Sequence, residues 1–145
     1  MTYLKAVNGV VEQYPYSISR LKKDNTNVSF PKEPTDELLA DWGVYPVTVA
    51  QPPVYDSSVQ VIKQDAPQNV NGAWMVAWIV EQLPQDTAEK NIRNQRNNLL
   101  QDCDWTQVAD APVDKAAWAT YRQELRDITD QTGFPYNVIW PTPPA

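Results

Sequence analysis

The chain has 145 residues and a mass of 16.5 kDa, room for one ordinary domain or two very small ones, and its 42% hydrophobic share allows a modest core. A formal net charge of −6, with six basic and nine acidic residues on each side of Pro84, leaves no electropositive module to bind nucleic-acid phosphates. The sequence has no His, which excludes imidazole catalysis and His-ligated metals, and no stretch approaches the roughly 18 apolar residues of a membrane span.

Six Trp and seven Tyr compensate for the thin aliphatic content. Each buried aromatic contributes a gross gain of about 4–6 kcal/mol. Cys103 is alone and cannot form an internal disulfide, which fits a reducing compartment. The opening MTYLKAVNGVVEQYP lacks the basic segment and apolar run of a secretory signal, so a soluble protein without its own export signal is expected.

In chain order, residues 3–7 and 10–14 read as strands around Asn8-Gly9, the dipeptide suited to a type I′ hairpin turn. Ser17 is a plausible cap for a short helix over 18–23, which stops in Asp24-Asn25-Thr26-Asn27. Thr35 and the acids after it begin a second short helix over 37–42, with Gly43 placed to end it in the left-handed conformation. Residues 44–49 are β-rich, but Pro46 assigns them to a sheet edge or a strand start.

The clearest strand signal flanks Asn71-Gly72, with residues 59–64 and about 69–70 before it and 73–83 after it. Trp74, Val76, Trp78 and Val80 share one face of the later strand, and Met75, Ala77, Ile79 and Glu81 the other, so both faces are largely apolar. A strand apolar on both faces is either sandwiched between the chain's own helices or presented to a partner.

Composition shifts at Pro84. Asp86 and Glu89 have capping-box spacing before a helix that runs to about Asp102, with a sparse apolar stripe of Ala88, Ile92, Leu99, Leu100 and Cys103. Asp104-Trp105-Thr106-Gln107 breaks that pattern, and Asp114 caps the strongest helix, residues 115–131, which Gly133 stops. Its Trp118, Tyr121, Leu125 and Ile128 fall within about 80° of helical arc. From Phe134 onward the prolines predict an extended tail.

No constellation carries a reaction. Asp102, Asp104 and Asp110 imitate the start of a calcium loop, but Gln107 and Val113 stand where that loop needs Gly and a chelating Glu. Cys103 has no His partner, and on an apolar helix edge it reads as a small core residue. Arg122, beside the Trp118 stripe, is placed to pack its stem and pair with an acid such as Asp104. Trp105, Trp118 and Trp140 read as core, although Trp and Arg are also the residues enriched at interface hot spots. The segment from Trp140 to Pro144 either latches across its own helices or docks as a polyproline segment on another protein.

The run RNNLLQDCDWTQVADAPVDKAAWATYRQELRDITDQTGFPYNVIWP resembles the C-terminal region of bacteriophage tail assembly chaperone proteins, also called tail fibre assembly proteins. The likeness covers about residues 93–141 and rests on separated pieces: Arg96 with Leu99-Leu100, Asp104-Trp105-Thr106, Asp110 with Pro112, Trp118 with Tyr121-Arg122, Leu125-Arg126-Asp127-Ile128, Gly133-Phe134-Pro135 and Trp140-Pro141. The YPYS, VSFP and DELL pieces of the first 85 residues also resemble, less specifically, the leaders of phage tail proteins. The resemblance implies a phage-encoded accessory that binds tail or tail-fibre proteins and has no catalytic residues and no cofactor. A structural component of the virion tail, fibre base or host-facing tip is the alternative.

The expected architecture is α+β, divided at Pro84. Residues 1–84 form a small antiparallel sheet of β-hairpins with short helices, and residues 85–145 form a two-helix unit with an extended proline-rich tail. Partner contacts are expected at Trp74 and Trp78 on the hairpin and at Trp118, Arg122 and Trp140 in the last third, with no metal, nucleic acid or membrane involved. The expected location is the host-cell cytoplasm during assembly, with retention in the virion tail left open.

Overall fold

The computed structural model describes residues 2–144, which divide into two compact units. The first comprises the chain to Pro53 together with Ile62–Ile79, and the second comprises Val54–Val61 and the chain from Val80 onward. The fold is mixed α+β. Val54–Val61 belongs to the second unit, where a cut at Pro84 alone would leave it with the first.

In the first unit β1 (Thr2–Val7) and β2 (Val10–Tyr16) form the expected hairpin, with Asn8 and Gly9 at φ 52° and 78°. Two short helices follow, α1 (Ile18–Asp24) and α2 (Asp36–Ala40). Ser17 and Thr35 cap them, their hydroxyls accepting from the Arg20 and Leu38 amides at 3.2 and 3.3 Å. Gly43 takes the expected left-handed φ, 70°, and no larger residue fits there, because a Cβ would press on the Ala6 carbonyl oxygen.

Strand β3 (Val44–Val49) corrects one expectation. It lies in the middle of a five-stranded sheet of order β2-β1-β3-β6-β5, with β5 at Gln68–Val70 and β6 at Ala73–Val76. Pro46 is tolerated there because pairing with β6 begins one residue later, at Val47 opposite Trp74, so the missing N–H falls at the end of that ladder. The sheet is also not wholly antiparallel. β3 and β6 run parallel, which the long connection between them permits, while the other pairs are antiparallel.

The sheet packs on both faces. On one, Tyr16 and Val44 meet Leu21 of α1 and Leu39 of α2; on the other, Leu4, Ala6 and Val47 enclose Trp74 and Val76. The Trp74 strand is therefore neither helix-sandwiched nor two-sided. In β6 the burial alternates, with Trp74 and Val76 inside and Ala73 and Met75 outside. At Ala77 the strand breaks, and β7 (Trp78–Gln82) pairs with β4 (Gln60–Gln64) in a separate two-stranded sheet. A run that reads as one strand becomes two because its halves have different partners.

In the second unit α3 (Gln85–Asp102) packs by one edge, burying Ala88 and Ile92. No capping box forms. Pro84 occupies the cap position without a side-chain bond, and the Glu89 carboxylate instead accepts from Gln85 and Arg93 at 3.0 and 2.8 Å. Helix α4 (Lys115–Arg126) starts as expected, with the Asp114 carboxylate accepting from the Ala116 and Ala117 amides at 3.0 Å. It ends earlier than expected, its last turn tightening into a 3-10 helix at Asp127–Asp130.

Gly133 is not a left-handed helix stop. It is needed because a Cβ there would collide with the Asn137 carbonyl oxygen inside a tight turn closed by the Asn137 amide on the Gly133 carbonyl at 2.7 Å. Pro135, preceded by a cis peptide bond, lies in that turn, and residues 134–136 are folded back where an extended chain was expected. Residues 138–144 have neither helix nor strand, and Trp140 packs against both clusters of the unit: Val59, Ala88, Ile92 and Ile128 in one, Cys103, Tyr121 and Leu125 in the other.

Candidate protein-binding surface

The 3-10 segment Asp104–Gln107 follows α3 directly. In a 3-10 helix residues three apart eclipse. Cys103 and Thr106 share the inward face, 4% and 0% exposed, and this turns Trp105 and Val108 outward at 52% and 51%. Thr106 is fixed by its hydroxyl, which donates to the Cys103 carbonyl at 2.6 Å.

Arg122 locks the segment from α4. Its guanidinium donates to the Leu100 carbonyl at 2.8 Å, the Cys103 sulfur at 3.1 Å and the Asp104 carboxylate at 2.7 Å, with only 12% of its side chain exposed. Burial alone would lower its pKa, but the bonds to Asp104 and Cys103 outweigh that and raise it above its ordinary value. A permanently charged group thus satisfies a carbonyl at the end of α3 and fixes the start of the 3-10 turn.

Trp118 stands beside this segment. Its ring lies 6.3 Å from that of Trp105 and 5.6 Å from that of Tyr121, nearly perpendicular to the latter at 89°. Trp118 is half-buried, while Tyr121 is 6% exposed, so Trp118 has Tyr121 behind it and Trp105 at its outer edge.

Of the five expected contact residues, Trp118, Arg122 and Trp140 come together around Cys103, Tyr121 and Leu125. Trp74 and Trp78 lie in the first unit. Trp74 is 6% exposed, its ring 6.3 Å from that of Tyr45, and half-buried Trp78 donates its indole N–H to the Ala50 carbonyl at 2.8 Å. Arg122 has the Asp104 partner that the sequence suggested. Trp105, read as core, is the most exposed of these aromatics. Its displacement was detectable only through the three-residue spacing of Cys103 and Thr106, which needs the 3-10 geometry to interpret.

Among the described residues no group of three or more Cys, Asp or Glu is placed to hold a metal ion, and no helix is long and apolar enough to cross a membrane. No curated protein and no solved structure matches the chain. Residues 89–145 match the family model for phage tail assembly chaperone protein, so the C-terminal region, which holds the locked 3-10 segment, α4 and all of α3 but its first turn, is similar to that family.

Proposed function

We propose that this chain is a non-catalytic accessory of phage tail assembly that binds tail or tail-fibre proteins in the host cytoplasm while they are incomplete. The observation that carries the proposal is the family match over residues 89–145. A rigidly displayed, half-exposed tryptophan in that same region supports it, because large aromatics held in place cost little entropy when a partner covers them. Unassembled tail and fibre chains expose apolar surfaces and strand edges, and covering these suppresses aggregation until assembly.

The proposed contacts divide by burial. Trp118 and Trp140, both half-buried, offer their outer surfaces to the partner, while Arg122 holds the surface in shape from within. Trp78 is the hairpin residue with surface to offer. Trp74 is buried with Leu4, Ala6, Val47 and Val76, so Trp74→Ala would remove a core anchor worth about 3–5 kcal/mol and test stability instead of binding.

The test is co-expression of the full chain with each tail and fibre protein of its phage, followed by mass spectrometry of purified particles. Recovery of a tail or fibre protein with the chain, and absence of the chain from finished particles, is the expected result. Stoichiometric copies in the particle would replace the proposal with a structural role at the tail, fibre base or host-facing tip. If no tail protein is recovered and fibre yield is unchanged without the chain, the accessory reading fails.

A further inference from the structure

From the chemistry around Trp105 we infer that Trp105, Val108 and Trp118 form a docking surface for an amphipathic segment of the tail protein that carries Lys or Arg beside its apolar residues. This inference rests on the tail-protein-binding reading above and specifies the partner's chemistry. Its apolar part is fixed in place. Cys103 and Thr106 are buried, Arg122 fixes the start of the turn and the Thr106 hydroxyl bonds the Cys103 carbonyl, so Trp105 is held on the outward face. A large aromatic held outward with 52% of its surface exposed is an uncovered apolar edge, continued by Val108 and by the half-buried Trp118 ring.

The charge around this edge selects the occupant. Residues 102–114 contain Asp102, Asp104, Asp110 and Asp114 and no Lys or Arg. Asp104 is paired with Arg122, but Asp102 and Asp110 are exposed and form no ion pair among the described residues. Arg122 and Lys115, whose ammonium bonds the Ala109 carbonyl, are the cations held at this segment, and the four carboxylates outnumber them. An apolar edge whose near neighbours in the chain carry an excess of carboxylates favours an apolar segment flanked by basic side chains and repels an acidic one. A second copy of the chain, at net charge −6, would bring the same sign to the same place.

Two model peptides of equal length serve as probes, one amphipathic helix built from Leu and Lys and one from Leu and Glu, titrated into the full chain beside the tail protein recovered by co-expression. The Leu–Lys peptide and the tail protein should bind, and the Leu–Glu peptide should not. Trp105→Ala, folded by circular dichroism, should weaken both by about tenfold or more, with Val108→Ser giving a smaller loss and Trp105→Phe a partial recovery. Asp102→Asn with Asp110→Asn should weaken binding at low salt and lose its effect near 0.5 M salt, where exposed charges are screened within about 4–5 Å.

If the tail protein binds the Trp105→Ala chain as tightly as the parent, this surface is not the docking site, and the accessory reading stands without it. If the Leu–Glu peptide binds as well as the Leu–Lys peptide, or truncation maps the tail protein's bound segment to an acidic stretch, the assignment of a basic occupant is overturned. If no tail protein binds the parent chain and fibre yield is unchanged without it, both readings fall together.

Discussion

Arg122 joins three groups: a carbonyl near the end of α3 that also accepts from the Cys103 amide, a buried sulfur and an exposed carboxylate. Its neighbour Tyr121 makes the same region sensitive to alkali. Burial raises the Tyr121 pKa, and electrostatic interaction with Cys103 and Asp102 raises it further. In the unfolded chain a phenol ionises near pH 10. Above that pH the unfolded state releases a proton that the native state keeps, so the stabilisation is complete below about pH 10 and falls as pH rises through the folded pKa. Urea midpoints measured from pH 8 to 11 should therefore decline above about pH 10, and Tyr121→Phe should flatten part of the decline. Tyr16, raised chiefly by burial in the first unit, should account for the slope that remains. An equally steep decline in Tyr121→Phe would show that Tyr121 does not contribute.

Gly133 gives a sharper residue-scale expectation. Its place after a helical stripe suggested a helix stop, but the need is steric. A methyl group at Gly133 would meet the carbonyl oxygen of Asn137, a backbone atom that cannot swing aside as a flexible side-chain end would. Gly133→Ala should cost about 1–3 kcal/mol by overpacking, read as a lower midpoint of chemical unfolding. Gly9→Ala is a useful contrast, since nothing lies within 4 Å of a Cβ there and its cost comes only from the φ of 78°. If Gly133→Ala unfolded at the parent midpoint, the tight turn would not be a constraint.

At the scale of elements, local chemistry was legible wherever one residue sets the backbone. Both Asn-Gly hairpins, the Ser17 and Thr35 caps, the Asp114 cap and the left-handed Gly43 follow from side-chain chemistry that acts within a few residues. What was not legible depended on partners distant in sequence. Pro46 sits in a central strand because the β3–β6 ladder starts just beyond it, and residues 73–82 split because β6 and β7 pair with different strands. The candidate surface shows the same division. Pairing of Arg122 with Asp104 was readable from charge and spacing, but the exposure of Trp105 was not, because a 3-10 turn places residues on different faces from those of an α-helix.

For the molecule as a whole, the decisive fact is that the second unit is discontinuous in sequence. The family match begins at residue 89, yet the core beneath α3 includes Val59, 4% exposed and clustered with Ala88, Ile92 and Ile128. The upstream segment is also tied by polar bonds. Leu83 donates its amide to the Val59 carbonyl at 2.8 Å, and the Asn91 side chain donates to the Ser58 carbonyl at 2.9 Å. A fragment covering residues 80–145 would keep both long helices and lose all three contributions. Removing the buried Val59 side chain alone should cost about 1.5–3 kcal/mol, and the orphaned Leu83 amide and Asn91 side chain add to that if water cannot reach them. Such a fragment should show fast amide exchange in α3 around Ala88 and Ile92, while Val59→Ala in the full chain lowers the unfolding midpoint of the second unit without unfolding it. Amide protection in the fragment equal to that of the same residues in the full chain would mean that the C-terminal region is self-sufficient and that Val54–Val61 only rests on it.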